Sequence, residues 1–186
     1  MDEHLRCERC LLQRWLCLCA AIPTVATRTH IVIVRHHTER WRSSNSGRLA
    51  HLALPNSEIV EHGGIGGPAV LPPLAGAWLL FPEGTPTDRV ETPPAQLVVL
   101  DATWSQARRM FRKLPALRGL PILRLPEPTI AVARMRESPG EGRVSTIEAI
   151  AQALRLFEGD AAATPLEALF TLAVERAAAS GRNVGP

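Results

Sequence analysis

The residues best suited to chemistry lie together at one short stretch of the chain. Asp101 follows the four apolar residues 97–100, and Thr103 and Trp104 come two and three positions after it. A carboxylate can accept a proton, a hydroxyl can help to position it, and an indole can stack on a flat ring or contact a cation. We therefore predict that Asp101, Thr103 and Trp104 form a catalytic centre.

A strand followed by a helix must position these side chains. Residues 97–100 include two β-branched residues and are long enough for a buried strand but too short for a helix. Thr103 and Gln106 have the spacing of a capping box, which predicts a helix capped by Thr103. Ligands of open α/β sheets bind beyond the carboxyl ends of strands, where Asp101 lies. Two structural alternatives stay open, because Asp101 can cap the helix and Trp104 can pack in the core.

All four cysteines fall within the first nineteen residues, in a Cys-x2-Cys-x6-Cys-x-Cys pattern. Four soft ligands that converge tetrahedrally are the preferred site for structural Zn²⁺. The predicted metal ligands are Cys7, Cys10, Cys17 and Cys19. We expect residues 1–27 to form a small zinc knuckle and residues 28–186 to form the main domain. A secretory signal is the alternative for the apolar residues 15–21, but Arg14 and Pro23 disfavour it.

The basic residues are nearly all arginine. Lys113 is one of the 21 basic residues and the rest are Arg, with a net charge of +3. A general bias toward Arg would explain that count, but Arg also suits bidentate contact with phosphate. Residues 28–48 hold five Arg and three His against one acid, which favours a nucleic-acid partner. The predicted RNA-binding residues are Arg35, His36, Arg40, Arg42, Asn45, Arg48, Arg108, Arg109 and Arg112.

The remaining elements alternate between strands and helices, which predicts an α/β domain. Further strands are predicted at 29–34, 77–81 and 121–125, and a short helix is predicted at about 47–54, capped by Ser44, Asn45 or Ser46. A capping box at Ser145 predicts a helix that ends at Gly159. Another at Thr164, with Pro165 in the first turn, predicts a last helix that ends at Gly181. No run of about eighteen apolar residues exists, so no transmembrane helix is expected.

The D-x-T-W motif at 101–104 resembles that of the DTW-domain family, and other segments match this family in order. They are the cysteine cluster, Glu39 with Asn45-Ser46-Gly47-Arg48, the LLFP at Leu79–Pro82, the Ser-x-Ala-Arg of the helix after the motif, and Ser145-Thr146-Ile147-Glu148-Ala149. Each of these matches is weak alone. Their co-occurrence in order over residues 7–155 makes the resemblance specific.

The resemblance implies a tRNA-uridine aminocarboxypropyltransferase with a SPOUT-like fold. Such a fold has an open, mostly parallel sheet with helices on both faces and a C-terminal knot. The implied enzyme transfers the 3-amino-3-carboxypropyl group of S-adenosyl-L-methionine to N3 of a tRNA uridine and releases methylthioadenosine. We expect the protein to be cytoplasmic and to make no contact with a membrane. It is expected to be either a monomer or a homodimer.

The resemblance also implies which residues hold S-adenosyl-L-methionine. These cofactor-binding residues are Leu80, Phe81, Pro82, Glu83, Asp101, Arg134, Arg136, Ser145, Thr146 and Glu148. Either Arg134 or Arg136 is expected to hold the carboxylate of the transferred chain. The chain departs from the family at His37, where Pro is frequent, and at Ala133, where Tyr is frequent.

The chemistry agrees with the residues. Uridine N3 carries a proton and is a poor nucleophile until that proton leaves. A nearby carboxylate is the natural general base, and Asp101 is the candidate. Trp104 can stack on the uracil or on the adenine. Two other functions compete with this one: a SPOUT-type RNA methyltransferase, and a non-catalytic zinc-containing RNA-binding protein.

Overall fold

A computed structural model describes residues 6–84, 86–87, 90–126 and 144–179. Within these residues the chain forms five strands and four α-helices. The strands are β1 His30–His36, β2 Ser57–His62, β3 Ala77–Leu80, β4 Gln96–Asp101 and β5 Ile122–Leu123. The helices are α1 Ser46–Ala53, α2 Trp104–Lys113, α3 Thr146–Glu158 and α4 Asp160–Ala179.

The five strands form one parallel sheet in the order β2-β1-β4-β3-β5. In the centre, β1 pairs with β4 from His30 opposite Gln96 to Arg35 opposite Asp101. Because the carboxyl ends of parallel strands meet at one edge, Asp101 lies beside the end of β1. The prediction of an α/β fold with a mostly parallel sheet is confirmed, and all four pairings between these five strands are parallel.

Helices cover both faces of the sheet, as predicted. On one face α1, α3 and α4 pack with Ile31, Ile33 and Leu97, and on the other α2 packs with Val32 and Val98. Successive residues of β1 and β4 therefore enter opposite cores, which explains why both strands are nearly continuous apolar runs. The central strands are thus fixed from both sides, and the groups at their ends are held with them.

The cysteine segment packs into the same core as α1, α3 and α4. Leu12, Leu16 and Leu18 are buried there, and Arg176 of α4 donates a hydrogen bond to the Cys17 carbonyl. The division of the chain at residues 27 and 28 stays a prediction. No helix in the described part of the chain is both long and apolar enough to cross a membrane.

The last helix starts earlier than predicted, so the capping box proposed at Thr164 is wrong. Helix α4 begins at Asp160 and contains Pro165. The carboxylate of Glu167 is engaged by the Arg155 guanidinium at 2.6 and 2.9 Å, so it does not cap a helix start. The predicted end of this helix at Gly181 lies outside the described residues.

Two strands, β2 and β5, differ from the predictions, and the predicted knot lies in a part of the chain that the structure does not describe. Strand β2 was not predicted, because its residues are all half-buried and its Ser-Glu-Ile-Val-Glu-His sequence has no apolar run. Strand β5 covers two residues of the five proposed for it. The C-terminal knot stays a prediction, because residues 127–143, between β5 and α3, lie outside the described residues.

Candidate active site

Asp101 ends β4 and lies where the first turns of two helices meet. Its side chain is 4% exposed. The Asn45 amide donates to Oδ2 at 2.6 Å, and the Thr146 hydroxyl donates to Oδ1 at 2.7 Å. Burial raises the pKa of Asp101 above its usual range, although both hydrogen bonds act in the opposite direction. The carboxylate is therefore positioned by α1 and α3 and holds a proton more readily than an exposed aspartate.

The approach of α1 to Asp101 requires glycine at position 47. A Cβ atom on Gly47 would lie 2.6 Å from Asp101 Cγ, closer than any ordinary contact. Asn45 caps the same helix, because its Oδ1 accepts from the Arg48 backbone N–H at 2.8 Å. This bond leaves Nδ2 of Asn45 facing the carboxylate. The cap therefore orients the donor that binds Asp101.

A cleft of about 210 Å³ opens beside this carboxylate, between the ends of β3 and β4 and the start of α3. Its wall is mostly apolar, and Trp104 and Phe81 are its aromatic residues. Thr146, Ser145, Gln152 and Arg124 contribute polar groups, and the Phe81 ring is backed by Phe111 at 4.3 Å between ring centroids. Concave apolar sites with a few polar groups are typical of ligand and cofactor sites. The lining suits a flat, partly polar ligand such as a nucleoside.

Thr146 links the cleft to Asp101. Thr146 is part of the cleft lining, and its hydroxyl donates to the carboxylate. Asp101 is nearly fully buried, and its neighbours Leu100 and Ala102 line the cleft. Thr146 therefore lies between the cleft and the buried carboxylate.

The structure brings five of the predicted cofactor-binding residues onto this cleft. They are Leu80, Phe81, Pro82, Ser145 and Thr146. Glu148 is buried and accepts from the Ser145 backbone N–H at 2.7 Å, which completes the predicted capping box of α3. Glu83 is exposed in the turn after β3. Arg134 and Arg136 lie outside the described residues.

Two polar cleft residues, Arg124 and Gln152, were not found from the sequence. Arg124 lies just after β5 and donates to the Gly84 carbonyl at 2.8 Å, a contact that depends on the fold. Gln152 follows Ala149 and Thr146 along one face of α3. Their spacing of three residues is a helical signal that could have identified this face.

The other members of the D-x-T-W motif hold the start of α2. Thr103 caps this helix as predicted, and both its backbone N–H and its hydroxyl donate to Gln106 Oε1, at 3.0 and 2.8 Å. The Gln106 amide in turn donates to Thr38 Oγ1 at 3.1 Å. Trp104 is half-buried and lines the cleft. The motif therefore joins the cleft to the loop that follows β1.

The predicted RNA-binding residues divide into exposed and buried groups. Those with exposed side chains are Arg40, Arg42, Arg108, Arg109 and Arg112, and His36 and Arg48 are half-buried. Arg35 is 6% exposed and pairs with Glu61, with 3.1 Å between its Nε and the Glu61 oxygen. Asn45 is buried against Asp101. Arg35 and Asn45 therefore lie in the protein interior and not on an open surface.

The four cysteine sulfurs lie within 4.8 Å of one another, so the cluster could hold a metal ion. The Cys7 and Cys19 sulfurs are 3.5 Å apart, and those of Cys10 and Cys17 are 3.9 Å apart. Tetrahedral thiolate ligands at about 2.3 Å from Zn²⁺ are about 3.8 Å from each other. Burial raises the pKa of Cys7, but hydrogen bonds with the backbone of Cys10 and Arg9 and with neighbouring thiols lower it to about 6. Donor type, number and spacing all fit zinc.

Comparisons with known proteins give one family match. The model of the DTW domain matches residues 4–178. A Drosophila melanogaster protein named tRNA-uridine aminocarboxypropyltransferase 2 is 31% identical in an alignment of 171 positions that covers 84% of this chain and 68% of that protein. The Mus musculus protein of that name is 26% identical in an alignment of 172 positions that covers 84% of this chain and 58% of that protein.

A plant protein is similar to the same extent. The Arabidopsis thaliana tRNA-uridine aminocarboxypropyltransferase A is 26% identical in an alignment of 201 positions that covers 86% of this chain and 76% of that protein. The chain thus spans between 58% and 76% of the length of these three relatives. No solved structure matches the chain.

Proposed function

The chain belongs to the DTW-domain family, and on that premise we propose that it is a tRNA-uridine aminocarboxypropyltransferase. The observation that carries the proposal is the cleft in which Thr146 connects the ligand-accessible surface to the buried Asp101. The names of the fly, mouse and plant relatives supply the reaction class. tRNA is the proposed partner, and the cytoplasm is the proposed location.

The proposed reaction joins uridine N3 to the 3-amino-3-carboxypropyl group. S-adenosyl-L-methionine supplies a sulfonium-activated carbon, whose bond to sulfur breaks with its electron pair left on methylthioadenosine. The new bond uses the N3 electron pair that is freed when the N3 proton leaves. The protein must therefore accept one proton and hold the reacting atoms in line.

Thr146 and Asp101 are the proposed proton path. The Thr146 oxygen can accept the N3 proton while its own proton passes to Asp101 Oδ1, 2.7 Å away. Burial raises the pKa of Asp101, which makes its carboxylate a stronger base than an exposed one. Thr103 and Gln106 hold the turn that carries this carboxylate.

The cleft walls are the proposed site for the adenosine. Trp104, which is half-buried in the lining, can stack on a flat ring, and residues 80–82 and 145–146 can contribute backbone polar groups. Among the described residues that line the cleft, Arg124 carries the positive charge, which suits the carboxylate of the transferred chain. Arg134 and Arg136 remain proposed for the same role.

The cysteine cluster is the proposed structural Zn²⁺ site. The four thiols come from a segment whose leucines pack on α1, α3 and α4. Four protein ligands leave no open position for a reacting group, so the zinc would be structural. It would hold the cysteine segment in place by linking its four thiols.

The test uses S-adenosyl-L-methionine labelled separately on the methyl carbon and on the carboxyl carbon. The protein is incubated with tRNA, and the nucleosides are analysed by mass spectrometry. We expect the carboxyl label in a modified uridine, with an equal amount of methylthioadenosine. Methyl label in the RNA would instead identify a methyltransferase. Neither label, with RNA still bound, would identify a non-catalytic RNA-binding protein.

A further inference from the structure

Trp41 is a large aromatic side chain that contributes to neither core. It is 69% exposed and lies in the loop that connects β1 to α1. Single exposed apolar residues are ordinary, so exposure alone assigns no role. The Arg40 guanidinium, however, lies 5.0 Å from the centroid of the Trp41 ring, at the distance of a cation–π contact. The indole is thus held by a cation, and most of its surface is left in contact with solvent.

The loop that carries Trp41 is fixed by several hydrogen bonds. The Arg40 carbonyl accepts from the Arg48 guanidinium, and the Arg42 backbone N–H donates to the Glu39 carbonyl at 3.2 Å. The Arg42 side chain also pairs with Glu39 at 3.5 Å, and Glu39 is 1% exposed. A loop fixed before binding loses little conformational entropy when it binds a ligand. Trp41 is therefore a preformed contact rather than a free side chain.

The same loop joins the candidate active site at both ends. Near its start, Thr38 accepts from Gln106 in the first turn of α2. At its end, Asn45 donates to Asp101. Trp41 lies between these two anchors in sequence, in the loop that follows the carboxyl end of β1. An RNA held at Trp41 would therefore be held by a loop that is bonded to the candidate active site through Thr38 and Asn45.

The charges around Trp41 favour an anionic polymer. Arg40 and Arg42 flank it in sequence and are both exposed. Nucleic-acid sites for single strands combine such cations with an aromatic ring on which a base stacks. A protein partner would need a larger apolar contact than one ring.

We propose that Trp41, backed by Arg40, is a stacking platform for an unpaired base of the RNA near the target uridine. This proposal rests on the proposed function, because it takes RNA as the substrate. Stacking on the indole needs a base but not a particular sequence, and Arg40 remains available to the phosphates. The platform holds the RNA outside the cleft, and the residues of the cleft carry the chemistry.

The test compares two short RNA oligomers on the full-length protein. One is an unstructured oligouridylate of about a dozen nucleotides, and the other has the same phosphates and sugars but no bases. We expect Trp41→Ala to weaken binding of the oligouridylate about tenfold and to leave binding of the abasic oligomer unchanged. Trp41→Phe should retain most of the affinity. Equal losses on both oligomers, or no loss on either, would overturn the platform.

Trp15 offers a matched control, because it is 67% exposed but lies in the cysteine segment. Trp15→Ala should bind both oligomers like the unchanged protein, and an equal loss in this variant would overturn the assignment to Trp41. The tRNA transfer assay separates this proposal from the proposed function. If the unchanged protein has no transfer activity but Trp41→Ala loses base-dependent binding, the platform is supported and the proposed enzyme activity is refuted. If the unchanged protein transfers the group but Trp41→Ala keeps its base-dependent binding, the enzyme activity is supported and the platform is refuted.

Discussion

The carboxyl edge of the sheet contains two regions of opposite character. Asp101 is buried and both of its carboxylate oxygens are bonded, with donors at the starts of two different helices and a glycine that admits α1. The loop 37–44 and the outer face of α2 instead present exposed cations and one exposed indole. The buried region specifies one geometry, as chemistry requires, whereas the exposed region can contact a large polyanion at many points. Substitutions should therefore have large, geometry-dependent effects in the first region and small, salt-dependent effects in the second.

Gly47→Ala should cause the largest loss. Its Cβ atom would overlap Asp101, so either α1 or the carboxylate must move. We expect a loss of about 1–3 kcal/mol in stability together with a large loss of transfer activity. Thermal unfolding and the labelled transfer assay measure both effects.

Gly66→Ala is the matched control, since a Cβ atom there meets nothing within 4 Å. It should behave like the unchanged protein. If both variants were equally active and stable, the close approach of α1 to Asp101 would not be needed.

Thr146→Val should lower the transfer rate about a hundredfold, because it removes the hydroxyl that links the cleft to Asp101. Thr146→Ser keeps the hydroxyl and should retain most of the rate. The valine variant is nearly the same size as threonine, so an unfolded protein is not expected. Equal rates in the two variants would remove the hydroxyl from the proton path.

The pH dependence of the rate gives a separate measure of the buried region. Transfer needs ionised Asp101, so the rate falls as pH falls through its pKa, which burial raises above the usual range. The Thr146 hydrogen bond stabilises the ionised form. The acid limb of the kcat/KM profile should therefore shift to higher pH in Thr146→Val than in Thr146→Ser. An acid limb at the same pH in both variants would contradict this.

Removal of metal should act on stability more than on chemistry. Cys10→Ser takes away one of the four proposed ligands. We expect this variant to have a lower Tm and to contain less zinc than the unchanged protein, as measured by native mass spectrometry. A strong chelator should have the same effect. Full metal content in the variant would show that the cysteines are not the ligands.

The smallest effect is expected on the outer face of α2. Replacing Arg108 and Arg112 together with Gln should weaken tRNA binding severalfold and flatten its dependence on salt, since both side chains are exposed. Binding measured across a salt titration tests this, with the transfer rate at saturating tRNA as the control. An unchanged slope would show that these cations are only solvated.

Local patterns predicted the elements that carry the site. The β4–α2 turn, a cap of α1 among Ser44, Asn45 and Ser46, and the capping box of α3 all follow from neighbouring residues, and the structure has each of them, with Asn45 as the cap. What the sequence could not reveal is contact between distant residues. Asn45 meets Asp101 across 56 positions, and Thr146 meets it across 45. Neither partner is identifiable until the strand order brings α1 and α3 to the end of β4.

The errors have physical causes of the same kind. Strand β2 is half-exposed and lacks the apolar run that marks a buried strand. The start of α4 was misplaced because Glu167 looked like a capping residue, although Arg155 of the preceding helix binds it. Local propensity yields to tertiary contacts in both cases.

Carboxyl-label transfer by Asp101→Asn tests the central claim most directly. Asn has the same shape, can accept from Asn45, and can bond to the Thr146 hydroxyl, so the fold and the binding of S-adenosyl-L-methionine should persist. Circular dichroism and calorimetry would check them. The account predicts a transfer rate lower by roughly 10²–10⁴-fold, because an amide cannot take the N3 proton. Transfer at the rate of the unchanged protein would contradict it.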